Sequence, residues 1–346
     1  MATMGILDLL YSNLAIDLGT ANTVIIHKDE IVVDEPSIIA IDKNTSKVIA
    51  IGREAMQMHE KTHDNIKTIK PLKDGVIANY QAAELMIRGM IKMVNHNKWR
   101  IFAPWFPRMV IAIPSGITDV EKRAVKDSAE HTGAKEVYMI YEPLAAAIGI
   151  GINIEEPVGS MIVDIGGGTT EIAVISLSGI ECKESIRVAG NVFNTDILEH
   201  MRKQHNLLIG ERTAERIKIE VGATIKELAN PPDSLEVRGR DLMSGTPKVV
   251  HVSHEEIVPA IEASILEIEE AIFKVLGIIP PELSADIYQK GIHLAGGGAL
   301  LRGLDKRIAH KTNLSVHIAE NPLQAVVRGT GIALKNLAAY KSVLMT

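Results

Sequence analysis

The sequence predicts an α/β fold of two duplicated lobes, each a mixed sheet flanked by helices, with smaller inserted subdomains. Three observations predict it. Short apolar strands alternate with helical stretches along the chain. The order apolar strand, Asp-x-Gly, Thr, apolar strand occurs at Asp17 and again at Asp164. That offset of about 150 residues is a duplication of whole lobes rather than a solenoid period. A third glycine cluster, Gly296-Gly297-Gly298, follows another apolar strand.

Taken in order, Leu14-Ala15-Ile16 and Val24-Ile25-Ile26 read as two strands around a tight turn, and residues 31–33 and 37–41 continue the β pattern. A helix is expected over residues 80–94. Residues 109–113 form a short apolar strand closed by Pro114. Thr118 then opens a helix, with Glu121 placed as the acid of a capping box, and Gly133 stops it after Thr132. A strand over 137–141 leads into a small-residue helix from Pro143 to Gly149. Met161-Ile162-Val163 enters the second Asp-glycine turn, and residues 172–175 leave it. From Asn194 to His251 the character changes: helical segments reach the loop Asn230-Pro231-Pro232-Asp233, then a charged strand-like stretch follows. This reads as a smaller insertion. A helix spans 253–277, and residues 291–294 form the strand before the third glycine cluster.

Composition bounds the function. With 346 residues, about two domains are expected. Hydrophobic residues make up 46% and charged residues 23%, which excludes disorder by composition. A formal net charge of −6 with no basic block argues against nucleic acid as a partner. The single cysteine, Cys182, has no internal disulfide partner, and a reducing compartment fits. Residues 1–10 lack the basic start of a signal peptide. The longest apolar run, residues 143–154, is short of the roughly 20 residues a spanning helix needs. The expected location is cytoplasmic.

Four constellations carry chemistry. In Asp17-Leu18-Gly19-Thr20-Ala21-Asn22-Thr23, a turn rich in Gly, Thr and Asn can aim backbone N–H groups and hydroxyls at phosphate oxygens. An ordinary hairpin turn is the alternative. Asp164-Ile165-Gly166-Gly167-Gly168-Thr169-Thr170 repeats the pattern with three successive glycines, more than a turn requires, so something must approach that backbone closely. Carboxylates facing a triphosphate make sense only if a hard cation intervenes, so Asp17 and Asp164 are expected to hold Mg²⁺, largely through water. A turn-capping role is the alternative for each. In Ala295-Gly296-Gly297-Gly298-Ala299, the glycines would let adenosine and the α-phosphate rest on backbone near a helix start. No Walker loop or dinucleotide fingerprint is present. Glu142, between a strand and a helix of alanines, could orient the water that attacks a γ-phosphate; a first-turn acid at a helix dipole is the alternative.

These four elements, in this order, resemble the actin, hexokinase and heat-shock-chaperone ATPase superfamily. Together with Asp34-Glu35-Pro36-Ser37, Lys73-Asp74-Gly75-Val76-Ile77-Ala78 and the run from Gly210 to Lys218, they resemble the MreB family of bacterial actin homologues over about residues 13–336. The resemblance implies an actin-like ATPase fold. It assigns residues 1–156 to the first lobe, with an inserted subdomain at about 40–73 and a C-terminal helix at about 322–346 returning to it. It assigns 157–321 to the second lobe, with an insertion at about 193–252. It further implies a cytoskeletal Mg-dependent ATPase, slow and coupled to polymerisation, that forms filaments, binds the inner face of the membrane and directs wall synthesis. Glu142 would activate water, and both hairpins would hold the β- and γ-phosphates. Glu215 and Lys218 would contact adenosine, although an i,i+3 pair is otherwise a solvated helix salt bridge.

Trp99, Phe102, Trp105 and Phe106 fall within eight residues beside Lys98, Arg100 and Arg108, and include both tryptophans of the chain. Core packing is one reading. A loop dipping into an anionic membrane is the preferred one, and the resemblance supports it. Met4, Ile6, Leu7, Leu9 and Leu10 could add a weaker anchor. In the helix after Thr118, Val120, Ala124 and Val125 form a narrow apolar stripe. It either faces its own core or, as the resemblance implies for Val120 and Ala124, joins paired protofilaments. The implied partners are further copies of the chain, the membrane surface and membrane-bound elongation proteins. Within the same superfamily, a sugar or acetate kinase would need another cleft carboxylate for its acceptor hydroxyl. A chaperone ATPase would need a peptide-binding domain beyond the second lobe.

Overall fold

The computed structural model describes residues 13–95 and 108–346. They group into two compact units: unit 1 holds the described residues up to Glu156 together with Gln324–Thr346, and unit 2 is Pro157–Leu323.

Unit 1 begins with the meander β1 (Leu14–Leu18), β2 (Asn22–His27) and β3 (Glu30–Pro36). A small antiparallel sheet follows, from β4 (Ile39–Asp42), β5 (Val48–Ile51) and β6 (Ile66–Ile69), with α1 (Arg53–Met58) against it. Ile38, Ala40, Ala50 and Ala55 form its own minor core. A two-stranded turn, β7 (Leu72–Lys73) and β8 (Val76–Ile77), leads to α2 (Tyr80–Asn95). Then come β9 (Arg108–Ile113), α3 (Asp119–Glu130), β10 (Glu136–Tyr141) and α4 (Glu142–Gly149).

The main sheet has the order β10-β9-β1-β2-β3. β1 runs parallel to β9, and β9 parallel to β10, whereas β1, β2 and β3 are antiparallel. Alternate side chains of β1 feed opposite faces, as the pleat requires. Leu14 and Ile16 join Met86 and Met90 of α2 in the larger cluster. Ala15 packs on the other face with Val24, Ile26 and Val327. Burial on both faces explains why this strand reads as a continuous apolar run.

Helix α3 starts as its sequence signals. Thr118 accepts from the Glu121 N–H, and the Glu121 carboxylate accepts from the Thr118 N–H, 2.8 Å. Gly133, with φ 103°, supplies the left-handed turn after it. The apolar stripe read from sequence divides, however. Val125 and Ala129 are buried, Ala124 is half-buried, and Val120 is 80% exposed. Val125 lies five residues on, about 140° around the helix from Val120, so the three residues do not share one face.

Unit 2 opens with β11 (Ser160–Ile165), β12 (Thr170–Ser176) and β13 (Gly179–Ile186), then α5 (Gly190–His205). The chain continues through β14 (Leu207–Leu208), α6 (Glu211–Val221), β15 (Leu235–Asp241) and β16 (Pro247–Val252). The long α7 (His254–Leu276), α8 (Pro281–Lys290), β17 (Ile292–Ala295), α9 (Leu304–Thr312) and β18 (Val316–Ile318) complete it. Its main sheet, β13-β12-β11-β17-β18, repeats the order and directions of the sheet in unit 1. The duplication seen in the Asp-glycine motifs is therefore a duplication of whole sheets. β14, β15 and β16 form a separate three-stranded sheet within residues 207–252. The change of character read from Asn194 onward begins inside α5, whose Phe193, Ile197 and Met201 belong to the main core.

The last helix, α10 (Ala325–Lys335), belongs to unit 1. A Cβ on Gly149 would lie 1.8 Å from the Ala325 carbonyl oxygen, and one on Gly329 would lie 1.7 Å from that of Ala145. The alanine run after Glu142 thus has a structural use: α4 and α10 cross backbone to backbone, which only small residues allow. A helix over 322–346 was expected, but it ends at Lys335. Beyond it the chain turns, and Met345 exchanges two backbone hydrogen bonds with Met139, 2.8 and 2.9 Å, at the open edge of β10. The unpaired edge of a strand captures the tail in place of further helix. Among the described residues, no helix is long and apolar enough to cross a membrane.

Candidate functional site

The turn between β1 and β2 is held by groups distant in sequence. The Ser37 hydroxyl donates to the Gly19 carbonyl oxygen, 2.6 Å, and shares a 2.9 Å hydrogen bond with the Thr23 hydroxyl. The Ser37 N–H reaches the Ala21 carbonyl, 2.8 Å, and the Gly75 N–H reaches Thr20 Oγ1, 3.0 Å. A Cβ on Gly19 would meet the Asn22 carbonyl oxygen at 2.6 Å, so this position must be glycine for the turn to close. Ala21 and Asn22 remain exposed at the tip.

Asp17 stands at the base of this turn. Burial, reinforced by the negative charge of Asp34 on β3, pushes its carboxyl up to about 7. A half-buried acid beside a second, exposed acid is an environment that a hard, oxygen-binding cation relieves, and Mg²⁺ fits this donor set. Register places Glu142 at the same end of the sheet. Asp17 pairs with Ala112, Ala112 with Ile140, and Glu142 lies two residues beyond, as the first residue of α4. Two strand spacings separate β1 from β10, about 10 Å. The C-terminal ends of parallel strands thus present both acids on one edge, where α/β sheets bind ligands.

The turn between β11 and β12 is held by backbone. The Gly166 N–H donates to the Thr169 carbonyl, 2.9 Å. The Gly190 and Asn191 N–H groups at the start of α5 donate to the carbonyls of Gly166 and Gly167, 3.1 and 2.8 Å. Asp164 is only 5% exposed, and Gly168 and Thr169 are also buried. Lys218 and Glu215 of α6 join this arrangement. Lys218 Nζ donates to the Gly190 carbonyl, 3.0 Å, and pairs with Glu215, 2.8 Å. Asn194 Nδ2 donates to the same Glu215 carboxylate, 2.6 Å. The i,i+3 pair is therefore more than a solvated salt bridge: it is tied to the glycine turn through α5.

The third glycine cluster is a four-residue 3₁₀ turn, Gly297–Leu300, after β17. Gly296 has φ 76°, and a Cβ there would lie 2.4 Å from Asp164 Oδ1 and from the Ile165 carbonyl oxygen. One on Gly298 would lie 2.2 Å from Ile165 Cγ2. These two glycines are required by close packing against β11, whether or not a ligand rests on them. Ala299, expected among the ligand contacts, is fully buried in the core cluster of unit 2. Gly297 is the least confined of the three: a Cβ there would meet only Leu323 Cδ2, at 3.0 Å.

The structure thus groups Asp17, Gly19, Thr20, Ala21, Asn22 and Glu142 at one sheet edge of unit 1. In unit 2 it groups Asp164, Gly166, Gly167, Gly168, Thr169, Glu215, Lys218, Gly296, Gly297 and Gly298. Trp99, Phe102, Trp105 and Phe106 lie outside the described residues, as do residues 1–12. Sequence reasoning assigned no role to Ser37, Gly75, Gly190 or Asn194. Ser37 and Gly75 stand in Asp34-Glu35-Pro36-Ser37 and Lys73-Asp74-Gly75, short polar motifs after strands, which was the available signal.

Comparison with known proteins agrees with this geometry. The family model described as MreB/Mbl protein matches residues 11–342. The cell shape-determining protein Mbl of Bacillus subtilis is 46% identical over 326 residues, covering 94% of this chain and 96% of that protein. The cell shape-determining protein MreB of Escherichia coli K12 is 45% identical over 335 residues, 94% of each chain. Among solved structures, MreB5 of Spiroplasma citri bound to AMPPNP superposes with a TM-score of 0.88 at 37% identity, covering 96% of this chain and 98% of that one. The MamK double helical filament shares the fold, with a TM-score of 0.76 at 23% identity over 95% of this chain and 99% of that one.

Proposed function

The chain belongs to the MreB/Mbl protein family and has its actin-like fold, and from that premise we propose that it is a filament-forming, cell shape-determining ATPase. The observation that carries the catalytic part is the shared sheet edge of Asp17 and Glu142. Nucleotide binding is supported by a relative of 37% identity, which was crystallised with AMPPNP.

In this reading the N–H groups and hydroxyls of both glycine-threonine turns hold the phosphates. Asp17 and Asp164 would hold Mg²⁺, which would supply positive charge against the phosphates. Glu142 accepts a hydrogen bond from the attacking water and aligns it with the γ-phosphate. Glu215 and Lys218 hold the adenosine, braced by Asn194 and Gly190. If Glu142 only orients water, Glu142→Ala retains ATP binding and loses about 10²–10⁴-fold in hydrolysis rate. Parallel losses of affinity and rate in a single-turnover assay would assign it a structural role instead.

Assembly uses α3. Val120, 80% exposed on a helix anchored by its capping box, supports a contact between paired protofilaments, with Ala124 beside it. Val120→Glu is expected to leave ATP binding and stability unchanged and to abolish paired filaments. Normal pairs in micrographs of that variant would remove α3 from the interface. Filaments are read as lying at the inner face of the membrane, held by Trp99, Phe102, Trp105 and Phe106 and guiding wall-synthesis proteins. Co-sedimentation of the polymer with anionic vesicles tests that attachment.

A further inference from the structure

We propose that His200, His205 and Glu256 form a zinc site in unit 2, apart from the residues assigned to nucleotide. His200 lies on the last turns of α5, and His205 is its final residue, followed by Asn206 in the left-handed conformation. Glu256 lies in the first turn of α7. The Nε2 atoms of both imidazoles converge on one carboxylate oxygen. His200 Nε2 is 2.8 Å from Glu256 Oε1, and His205 Nε2 contacts the same atom. One potential ligand atom from each of the three residues lies within 4.8 Å of the other two.

The donor set selects the metal. Two imidazole nitrogens and one carboxylate oxygen suit zinc, whereas magnesium and calcium favour oxygen-only sites. Zinc takes such ligands at about 2.0–2.2 Å in tetrahedral geometry. Small side-chain rotations that spread the three atoms would admit the ion in place of the present direct contacts. The three side chains are half-buried and line an open cavity of about 520 Å³ with Gln204 and Pro259. The fourth coordination position would open onto that cavity and hold water.

Topology says what the ion would do. The chain leaves α5 at Asn206 for β14 and returns from β16 into α7 after Ser253. His205 and Glu256 therefore stand on either side of the neck of residues 207–252, which carry the three-stranded sheet. A metal joining them cross-links that neck and closes the whole excursion into a loop. Bound zinc would restrain the small sheet without touching the nucleotide residues. It couples to folding because the intact site exists only in the folded chain.

The test titrates zinc into the full-length chain with excess Mg²⁺ and ADP present to occupy the oxygen-rich sites. The expected result is one zinc per chain in calorimetry, lost in the double variant His200→Ala/His205→Ala. Glu256→Gln should weaken zinc by more than about tenfold, the range that even outer partners of zinc ligands reach. Zinc should also slow amide exchange across residues 207–252 in the parent and not in the double variant. Equal zinc stoichiometry and affinity in parent and double variant overturns the proposal, as does absence of binding by the parent. Cobalt added to the parent decides the matter even if the double variant does not fold. Ligand-field bands of a four-coordinate ion, abolished by competing zinc, support the site, and purely six-coordinate spectra overturn it.

Discussion

The two Asp-glycine hairpins have the same strand order and the same place in duplicated sheets, yet they are held differently. The first is braced mainly by side chains, the Ser37 and Thr23 hydroxyls and the Thr20 hydroxyl facing Gly75, with one backbone bond from the Ser37 N–H to Ala21. The second is braced by backbone: N–H groups of α5 on the glycine carbonyls, and Gly296 packed against Asp164. Side-chain braces are single, removable hydrogen bonds. A glycine packed against backbone has no substitute. The duplicated motif thus kept its placement, and each hairpin kept a glycine that nothing larger can replace, Gly19 within the first turn and Gly296 against the second, while the remaining support diverged.

The harshest way to probe this difference is Gly296→Val. It forces a β-branched residue into φ 76° and drives Cβ to 2.4 Å from Asp164. Left-handed strain and overpacking together should destabilise by about 3 kcal/mol or more. A urea denaturation midpoint close to the parent's would show that this packing does not specify the second hairpin.

Asp17→Asn acts on the electrostatics of the first hairpin. Burial and Asp34 push the folded carboxyl up to about 7, against 3.8 for an ordinary aspartate. Between these values the folded state binds a proton that the unfolded state has released, so the raised pKa subtracts stability as pH rises through that window. Without nucleotide, Asp17→Asn should therefore stabilise clearly at about pH 8.5 and by almost nothing near pH 4. Thermal melts at the two pH values check it, and a pH-independent difference would contradict the burial argument.

The mildest probe is Ser37→Ala, which removes the brace on Gly19. Losing the two hydrogen bonds of this buried hydroxyl, to Gly19 and Thr23, should cost about 1–2 kcal/mol. Weakened nucleotide affinity should accompany it, because the turn loses its fixed orientation. Unchanged affinity would mean that the Thr20–Gly75 bond and the backbone bond from residue 37 to Ala21 suffice to hold the loop.

Much of the fold was legible because its signals are local. The Thr118–Glu121 box, Gly133 and the apolar run at 109–113 each announce an element from adjacent residues. The second hairpin was legible because three glycines in a row have few other uses, and the first because it repeats the same Asp-x-Gly, Thr order. What escaped reading depends on distant partners. Nothing beside Gly296 or Gly298 in sequence says that β11 lies within van der Waals reach. Ser37 and Gly75 belong to recognisable motifs, but their contact with the first hairpin appears only once the chain is folded. Val120 was grouped with Val125 by apolar character, and only helix rotation against a real core separates them. The tail past Lys335 carries helix-compatible residues, and the open edge of β10 decides its conformation instead.

The crossing of α4 and α10 also bears on how the chain is made. Unit 2 is one continuous stretch, whereas unit 1 is closed by a helix encoded near the far end of the sequence. During synthesis from the N-terminus, the face of α4 formed by Ala145 and Gly149 stays uncovered until α10 has emerged. All of Pro157–Leu323 is translated in that interval, so the unit begun first is the unit finished last.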